Sequence, residues 1–107
     1  MPKKKITLID EIVRYLDSGK AEDIKTLDVR AKSSFADTMI IATGTSTRHV
    51  MALAYNLVKD LKQKGIRPAN DILLSDGQWV VVDLGALLVH LFTAEARSKY
   101  DLEALWA

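Results

Sequence analysis

One stretch near the C-terminal end, residues 78–92, constrains the fold more than any other part of the chain. It reads QWVVVDLGALLVHLF and is the longest apolar run in the sequence. Gly85 interrupts it in the middle, and glycine readily adopts the positive φ that tight turns between antiparallel strands need. The stretch therefore predicts a β-hairpin with strands 78–84 and 87–92. Strands this apolar usually lie within a sheet that helices cover.

A turn at Gly85-Ala86 sets the register of this hairpin. Because side chains alternate between the two faces of a strand, three cross-strand pairs share one face: Trp79 with Phe92, Val81 with His90, and Asp83 with Leu88. The opposite face is wholly apolar and consists of Val80, Val82, Leu84, Leu87, Val89 and Leu91. An apolar run does not require Trp79, Asp83 or His90, so the first face is where we expect a function.

The remaining patterns predict helices and strands on both sides of the hairpin. Apolar residues at helical spacing in 8–16 and 50–61 indicate two amphipathic helices, the first capped by Thr7 and the second ended by Gly65. Ranges 23–29 and 36–43 indicate strands that a short link makes antiparallel neighbours. A weaker strand is predicted at 66–74, and a C-terminal helical region starts at Thr93 and includes residues 102–106.

These elements predict an α+β fold class, a mixed sheet of about five strands flanked by helices. A chain of 107 residues is long enough for one core, and we expect a single domain over 1–107.

Charge is balanced, with 15 Lys and Arg against 14 Asp and Glu, and there is no cysteine. This argues against broad electrostatic binding to nucleic acid or membrane, and against a disulfide framework. We expect a cytoplasmic protein without a transmembrane helix.

The residues capable of chemistry do not form a catalytic pattern. His49 and His90 have no partner histidine at metal-binding spacing. The GTS turn at 44–46 precedes a predicted helix, where it would either cap the helix or offer N–H donors to an anion. It suggests a nucleotidyltransferase, but those enzymes hold Mg²⁺ with paired carboxylates and Asp83 has no second one beside it. We predict no catalytic residue, metal or cofactor, and keep a nucleotidyltransferase-like nucleotide-binding protein or enzyme as the alternative.

Three blocks of the sequence resemble one protein family. They are ADTMIIATGTSTRHV (36–50), WVVVDLGALLVHLF (79–92) and ARSKYDLEALW (96–106). In these blocks, and over nearly the whole chain, the sequence is similar to the ribosomal silencing factors, also called RsfS or Iojap-like proteins. The resemblance implies a nucleotidyltransferase-like fold without the catalytic carboxylate pair. It also implies a non-enzymatic protein that docks on protein fourteen of the large ribosomal subunit, hinders joining with the small subunit and represses translation.

The candidate docking residues combine this resemblance with the hairpin pattern. The predicted anchors are Trp79, Leu84 and Tyr100, the predicted orienting charges are Asp83, Arg48 and Arg97, and His90 is a further predicted contact. Three of them have a structural alternative: Trp79 as a core residue, Tyr100 as a residue that pins the C-terminal helix, and His90 as a satisfied sheet histidine. We expect no membrane and no specific nucleic-acid contact, and the sequence leaves a homodimer open.

Two positions depart from the family pattern. Members usually carry Glu-Gly shortly before the tryptophan, whereas residues 72–77 here read ILLSDG. Members also usually have Asp where this chain has Ala86. Both departures lie beside the predicted docking surface, so we expect its contacts to differ there from the family pattern.

Overall fold

The computed structural model describes residues 7–34, 36–70 and 76–106. Its helices are α1 (Leu8–Ser18), α2 (Thr47–Gln63), α3 (Ala94–Tyr100) and α4 (Leu102–Trp106). Its strands are β1 (Glu22–Asp28), β2 (Thr38–Gly44), β3 (Trp79–Asp83) and β4 (Leu87–Thr93). The predicted α+β class is confirmed, and apart from the strand predicted at 66–74 the helices and strands have bounds within about three residues of the predicted ones.

The described strands form one mixed sheet in the order β1-β2-β4-β3. β1 and β2 are antiparallel, as predicted, while β2 and β4 run parallel. β3 and β4 form the predicted hairpin, and its register is the predicted one. The sheet therefore has four strands within the described ranges instead of about five. Of the strand predicted at 66–74, residues 66–70 are not in a strand and residues 71–74 lie outside the described ranges.

Helices α1 and α2 cover the apolar face of the hairpin and build the larger core. Ile12 and Leu16 from α1 and Leu53 and Leu57 from α2 pack with the inward side chains of β3 and β4. The first helix begins with a capping box, in which Thr7 and Asp10 each accept a hydrogen bond from the other's backbone N–H. Caps and amphipathic faces of this kind fix where each helix starts and which side it buries.

Replacing Val82 with alanine is expected to lower the free energy of unfolding by about 1–3 kcal/mol. Val82 points into the larger core and is 0% exposed, so truncation loses burial and leaves a cavity. Urea unfolding of the natural chain and of Val82→Ala measures the difference. Val81→Ala, on the opposite face of the same strand and only half-buried, is the control and should cost less.

Candidate docking surface

Four aromatic rings gather on the face of the hairpin that carries the polar residues. The Trp79 ring lies at the centre of the group, with ring centroids 5.1 Å from Phe92, 5.9 Å from His90 and 4.9 Å from Tyr100. The first three rings meet because β3 and β4 pair in the predicted register. Tyr100 comes from α3, which begins directly after β4 with Thr93 as its N-cap. Tyr100 is 50% exposed, so the group presents an aromatic ring to solvent.

Trp79 and His90 are also joined by a hydrogen bond. The Trp79 indole Nε1–H donates to Nδ1 of His90 at 3.0 Å, so the neutral imidazole carries its own proton on Nε2. His90 is only 5% exposed, and within the described ranges its Nε2 has no hydrogen-bond partner. Burial lowers the pKa of His90 from its usual 6.5 to about 4. His90 is therefore a neutral, buried support for Trp79 at ordinary pH.

Asp83 lies on the same face, at the end of β3, and organises the hairpin turn. Its Oδ1 accepts the backbone N–H of Gly85 at 2.9 Å, and Gly85 has a φ of 84°, the left-handed conformation that glycine adopts freely. The register sets Asp83 opposite Leu88 and Val81 opposite His90, so Asp83 and His90 share a face as predicted.

The free edge of β3 is covered by a side chain that the sequence reasoning missed. The Asn70 amide donates to the carbonyl of Val81 and accepts the N–H of Asp83 at 3.0 Å. The N–H of Ala69 donates to the carbonyl of Asp83 at 2.8 Å. Asn70 stands inside the range predicted as a strand. An asparagine side chain offers both a donor and an acceptor, so it can bond to a strand edge as the backbone of a neighbouring strand would. An asparagine shortly before a predicted strand was therefore the sequence signal for this contact.

Asp83→Asn is expected to leave the free energy of unfolding nearly unchanged, whereas Asp83→Ala should lower it by about 1 kcal/mol. Asparagine keeps an acceptor for the Gly85 N–H, and alanine removes that hydrogen bond. Urea unfolding of both variants provides the measurement. A loss of several kcal/mol in Asp83→Asn would mean that the carboxylate charge itself holds the fold together.

The other predicted docking residues lie away from this group of rings. Leu84 packs against the larger core on the opposite face of the sheet. Arg48 is exposed in the first turn of α2, which covers that same opposite face. Arg97 is buried beside β1 and β2, and its guanidinium bonds within the chain. Of the seven predicted residues, the structure thus brings Trp79, His90 and Tyr100 together and sets Asp83 on their face.

The turn at 44–46 acts as a helix cap. Ser46 is the N-cap of α2, and its hydroxyl accepts the backbone N–H of His49 at 3.0 Å. The N–H of Thr45 donates to Nδ1 of His49 at 2.9 Å, and the other ring nitrogen lies 2.8 Å from the carbonyl oxygen of Gly19. Several donors that an anion would need are therefore used inside the chain. Of the two alternatives for this turn, capping is confirmed.

The two departures from the family pattern differ in what the structure says of them. Ala86 is exposed beside the hairpin turn, and its carbonyl accepts the N–H groups of Asp37 and Thr38 at 2.7 and 3.1 Å. The backbone at Ala86 thus ties the hairpin to the start of β2. Of the ILLSDG stretch, residues 72–75 lie outside the described ranges.

Two features are absent from the described ranges, a metal-binding cluster and a membrane-spanning helix. No group of three or more His, Asp or Glu side chains there is arranged to hold a metal ion. No helix in that part of the chain is long and apolar enough to cross a membrane. The site does offer aromatic rings, which are enriched at protein interfaces, and a carboxylate on the same sheet face.

The fold and the half-exposed Tyr100 ring on one sheet face are compatible with the class of proteins that act by binding a partner. Comparison with known proteins makes this class specific. A sequence model of the family described as "Ribosomal silencing factor during starvation" matches residues 2–107. The chain belongs to this family, whose members are non-enzymatic repressors of translation. The predicted family and the predicted lack of enzymatic activity are both confirmed, and membership implies association with the large ribosomal subunit.

Individual relatives agree with this assignment. Ribosomal silencing factor RsfS of Haemophilus influenzae is 43% identical over 102 residues, covering 95% of this chain and 100% of that protein. A mouse protein named "Mitochondrial assembly of ribosomal large subunit protein 1" is 38% identical over 101 residues, covering 92% of this chain and 44% of that protein. A crystal structure of a Chromobacterium violaceum protein superimposes with a TM-score of 0.86 at 36% identity, covering 96% of this chain and 87% of that one.

Proposed function

We propose that this protein binds protein fourteen of the large ribosomal subunit and keeps the small subunit from joining. The observation that carries the proposal is the half-exposed Tyr100 ring, whose centroid lies 4.9 Å from that of Trp79 in a tilted arrangement, on one sheet face of a ribosomal silencing factor. The name of the mouse relative, which refers to the ribosomal large subunit, supports the choice of subunit. Translation is repressed because subunits that cannot join cannot form a ribosome.

The docking surface, as we define it, consists of Trp79, Val81, Asp83 and Tyr100. The first three alternate along β3 on the face opposite to α1 and α2, and Tyr100 extends that face from α3. Protein interfaces commonly bury roughly 800 Å² per partner, and their binding energy concentrates in a few aromatic anchors surrounded by polar groups. Trp79 and Tyr100 are the anchors of this surface, and the Asp83 carboxylate supplies charge at its edge.

The mechanism needs only the volume of the protein. Its extents are 45 × 31 × 24 Å, so a copy seated on the surface of the large subunit adds a layer whose thickness is set by these dimensions. A layer of that thickness on the face that meets the small subunit separates the two subunits by far more than the reach of side-chain contacts. No bound nucleotide and no catalytic step is required for this exclusion.

A subunit-joining experiment tests the proposal. Large and small subunits are mixed at a Mg²⁺ concentration that favours joined ribosomes, with and without a molar excess of the protein, and separated on a sucrose gradient. We expect the joined peak to fall and both free subunit peaks to rise when the protein is added first. Unchanged joining with saturating protein would contradict the proposal.

The Asp83 variants extend this test to the docking surface. Asp83→Asn keeps the turn hydrogen bond and removes the charge, so its effect on binding reports the charge alone. We expect about 10-fold weaker binding to large subunits, since charged pairs at an interface usually contribute one to a few kcal/mol. Arg48→Gln, which changes an exposed charge on the opposite side of the sheet, is the control and should bind as the natural chain does.

A further inference from the structure

Arg97 is the most extensively paired buried charge in the described part of the chain. Its side chain is 9% exposed. Nε donates to Oε1 of Glu103 at 2.7 Å, and Nη1 donates to the carbonyl of Asp23 at 2.6 Å and to Oγ1 of Thr43 at 2.8 Å. Nη2 lies 3.6 Å from the Asp23 carboxylate. The guanidinium therefore joins α3, on which it stands, to α4, β1 and β2.

Glu103 completes the connection from the side of α4. Its second carboxylate oxygen lies 3.1 Å from Nζ of Lys25 on β1. The hydrogen bond from Arg97 holds the pKa of the Glu103 carboxyl below its usual range, so the group is ionised near neutral pH. Arg97 and Glu103 form a charged pair that fastens both C-terminal helices to the first two strands.

These two helices need outside support to keep their position. α3 has seven residues and α4 has five, far fewer than the roughly 12–15 residues at which an isolated helix becomes even marginally stable. Among their described side chains, only Ala96, Arg97 and Leu102 are buried. Of these, Ala96 and Leu102 pack against Ile41 and Phe92, and Arg97 supplies the directional contacts.

We infer that Arg97 is a positioning residue for the docking surface: by fastening α3 to the sheet it holds Tyr100 against Trp79, and it does not itself touch the partner. Tyr100 follows Arg97 by one helical turn on the same short helix, so a shift of α3 moves the Tyr100 ring directly. Trp79 stands on β3 and does not depend on α3 for its place. The docking surface is thus assembled from two elements, and this inference rests on the proposed function of that surface.

A double-mutant cycle tests whether Arg97 acts through Tyr100. Arg97→Lys keeps the charge, but a single ammonium group cannot bond to all the partners that the planar guanidinium reaches at once. We expect Arg97→Lys to weaken binding to large subunits about 10-fold, and to add less than about twofold when Tyr100 is already alanine, because residues that act as a unit are not additive. Additive losses would overturn the inference.

Glu103→Gln separates positioning from direct contact by the sign of its effect. If Arg97 touched the partner, weakening its internal pair would free the guanidinium, and binding would stay the same or improve. If Arg97 positions Tyr100, Glu103→Gln should weaken binding severalfold, in the same direction as Arg97→Lys. Tighter or unchanged binding in folded Glu103→Gln would overturn the inference.

Nuclear Overhauser contacts between the aromatic rings test, without ribosomes, whether Arg97 positions Tyr100 against Trp79. In Arg97→Lys we expect the contacts between Trp79 and Tyr100 to weaken, while those between Trp79 and Phe92, which both lie in the sheet, stay as internal controls. Full retention of the Trp79–Tyr100 contacts would overturn the inference even if binding is reduced. If the natural chain bound no large subunits, the proposed function would fail, whereas this comparison would still uphold or overturn the role of Arg97.

Discussion

Replacing Tyr100 with alanine is expected to weaken binding to large ribosomal subunits by about 30-fold or more. Exposed aromatic anchors at the centre of an interface commonly contribute 2 kcal/mol or more, which corresponds to that factor. Because half of the Tyr100 side chain faces solvent, the same change should lower the free energy of unfolding by only about 1 kcal/mol. Titration of fluorescently labelled protein with isolated large subunits measures the dissociation constant, and urea unfolding measures the stability.

The chain offers a matched control for this variant. Tyr55 is 44% exposed and stands on α2, on the opposite side of the sheet from Tyr100. Tyr55→Ala removes a ring of the same size and similar exposure, and we expect its affinity for large subunits to equal that of the natural chain. Equal losses in both variants would contradict the assignment of docking to the Trp79–Tyr100 face.

The second large effect is a fall in stability between pH 6.5 and pH 4 that His90 causes. The pKa of His90 is about 4 in the folded protein, against 6.5 for an ordinary histidine, so the unfolded chain binds the proton more readily. The contribution of neutral His90 to the free energy of unfolding is therefore fully present above pH 6.5 and is lost progressively as the pH falls towards 4. Its full size is on the order of 3 kcal/mol.

The geometry gives this loss a structural cause. Burial disfavours the charged imidazolium, and a proton on Nδ1 would also point at the Trp79 N–H that now donates to that atom. We expect urea midpoints of the natural chain to fall over this pH range. His90→Asn keeps an acceptor near the Nδ1 position but does not titrate, so its midpoints should fall much less.

Two carboxyl groups with lowered pKa values affect the free energy of unfolding near or below the acid end of that range. The pKa values of Asp28 and Glu103 are lowered, chiefly by side-chain hydrogen bonds from Arg30 and Arg97 respectively. Their contributions are present above their ordinary values of 3.8 and 4.5 and are lost below them. The difference between the natural chain and His90→Asn isolates the histidine. Parallel pH profiles for the two proteins would contradict the role assigned to His90.

The hairpin shows what a sequence can specify about this molecule. Its register and the two faces follow from a single glycine and from strict alternation, both of which are local features. Trp79, Asp83 and His90 were therefore placed on one face from the sequence, and Leu84 on the other. The same alternation explains why Leu84, also predicted as an anchor, packs against the larger core.

Arg97 shows why the rest of the site could not be predicted in the same way. Arginine is mostly a surface residue, and no local pattern marks this one as buried. Two of its partners, Asp23 and Thr43, lie 74 and 54 positions away in the chain, and they meet it only because β1, β2 and α3 pack together. Asn70 is a similar case, since it lies in a range predicted as a strand and its side chain instead bonds to the backbone of β3. Contacts of this kind depend on the tertiary fold.

Cosedimentation with purified ribosomal particles tests the central claim most directly. The protein is mixed separately with isolated large subunits, isolated small subunits and joined ribosomes, and each mixture is pelleted through a sucrose cushion. We expect that the protein pellets with large subunits and stays in the supernatant with small subunits and with joined ribosomes. Equal pelleting with both isolated subunits, or with neither, would contradict it.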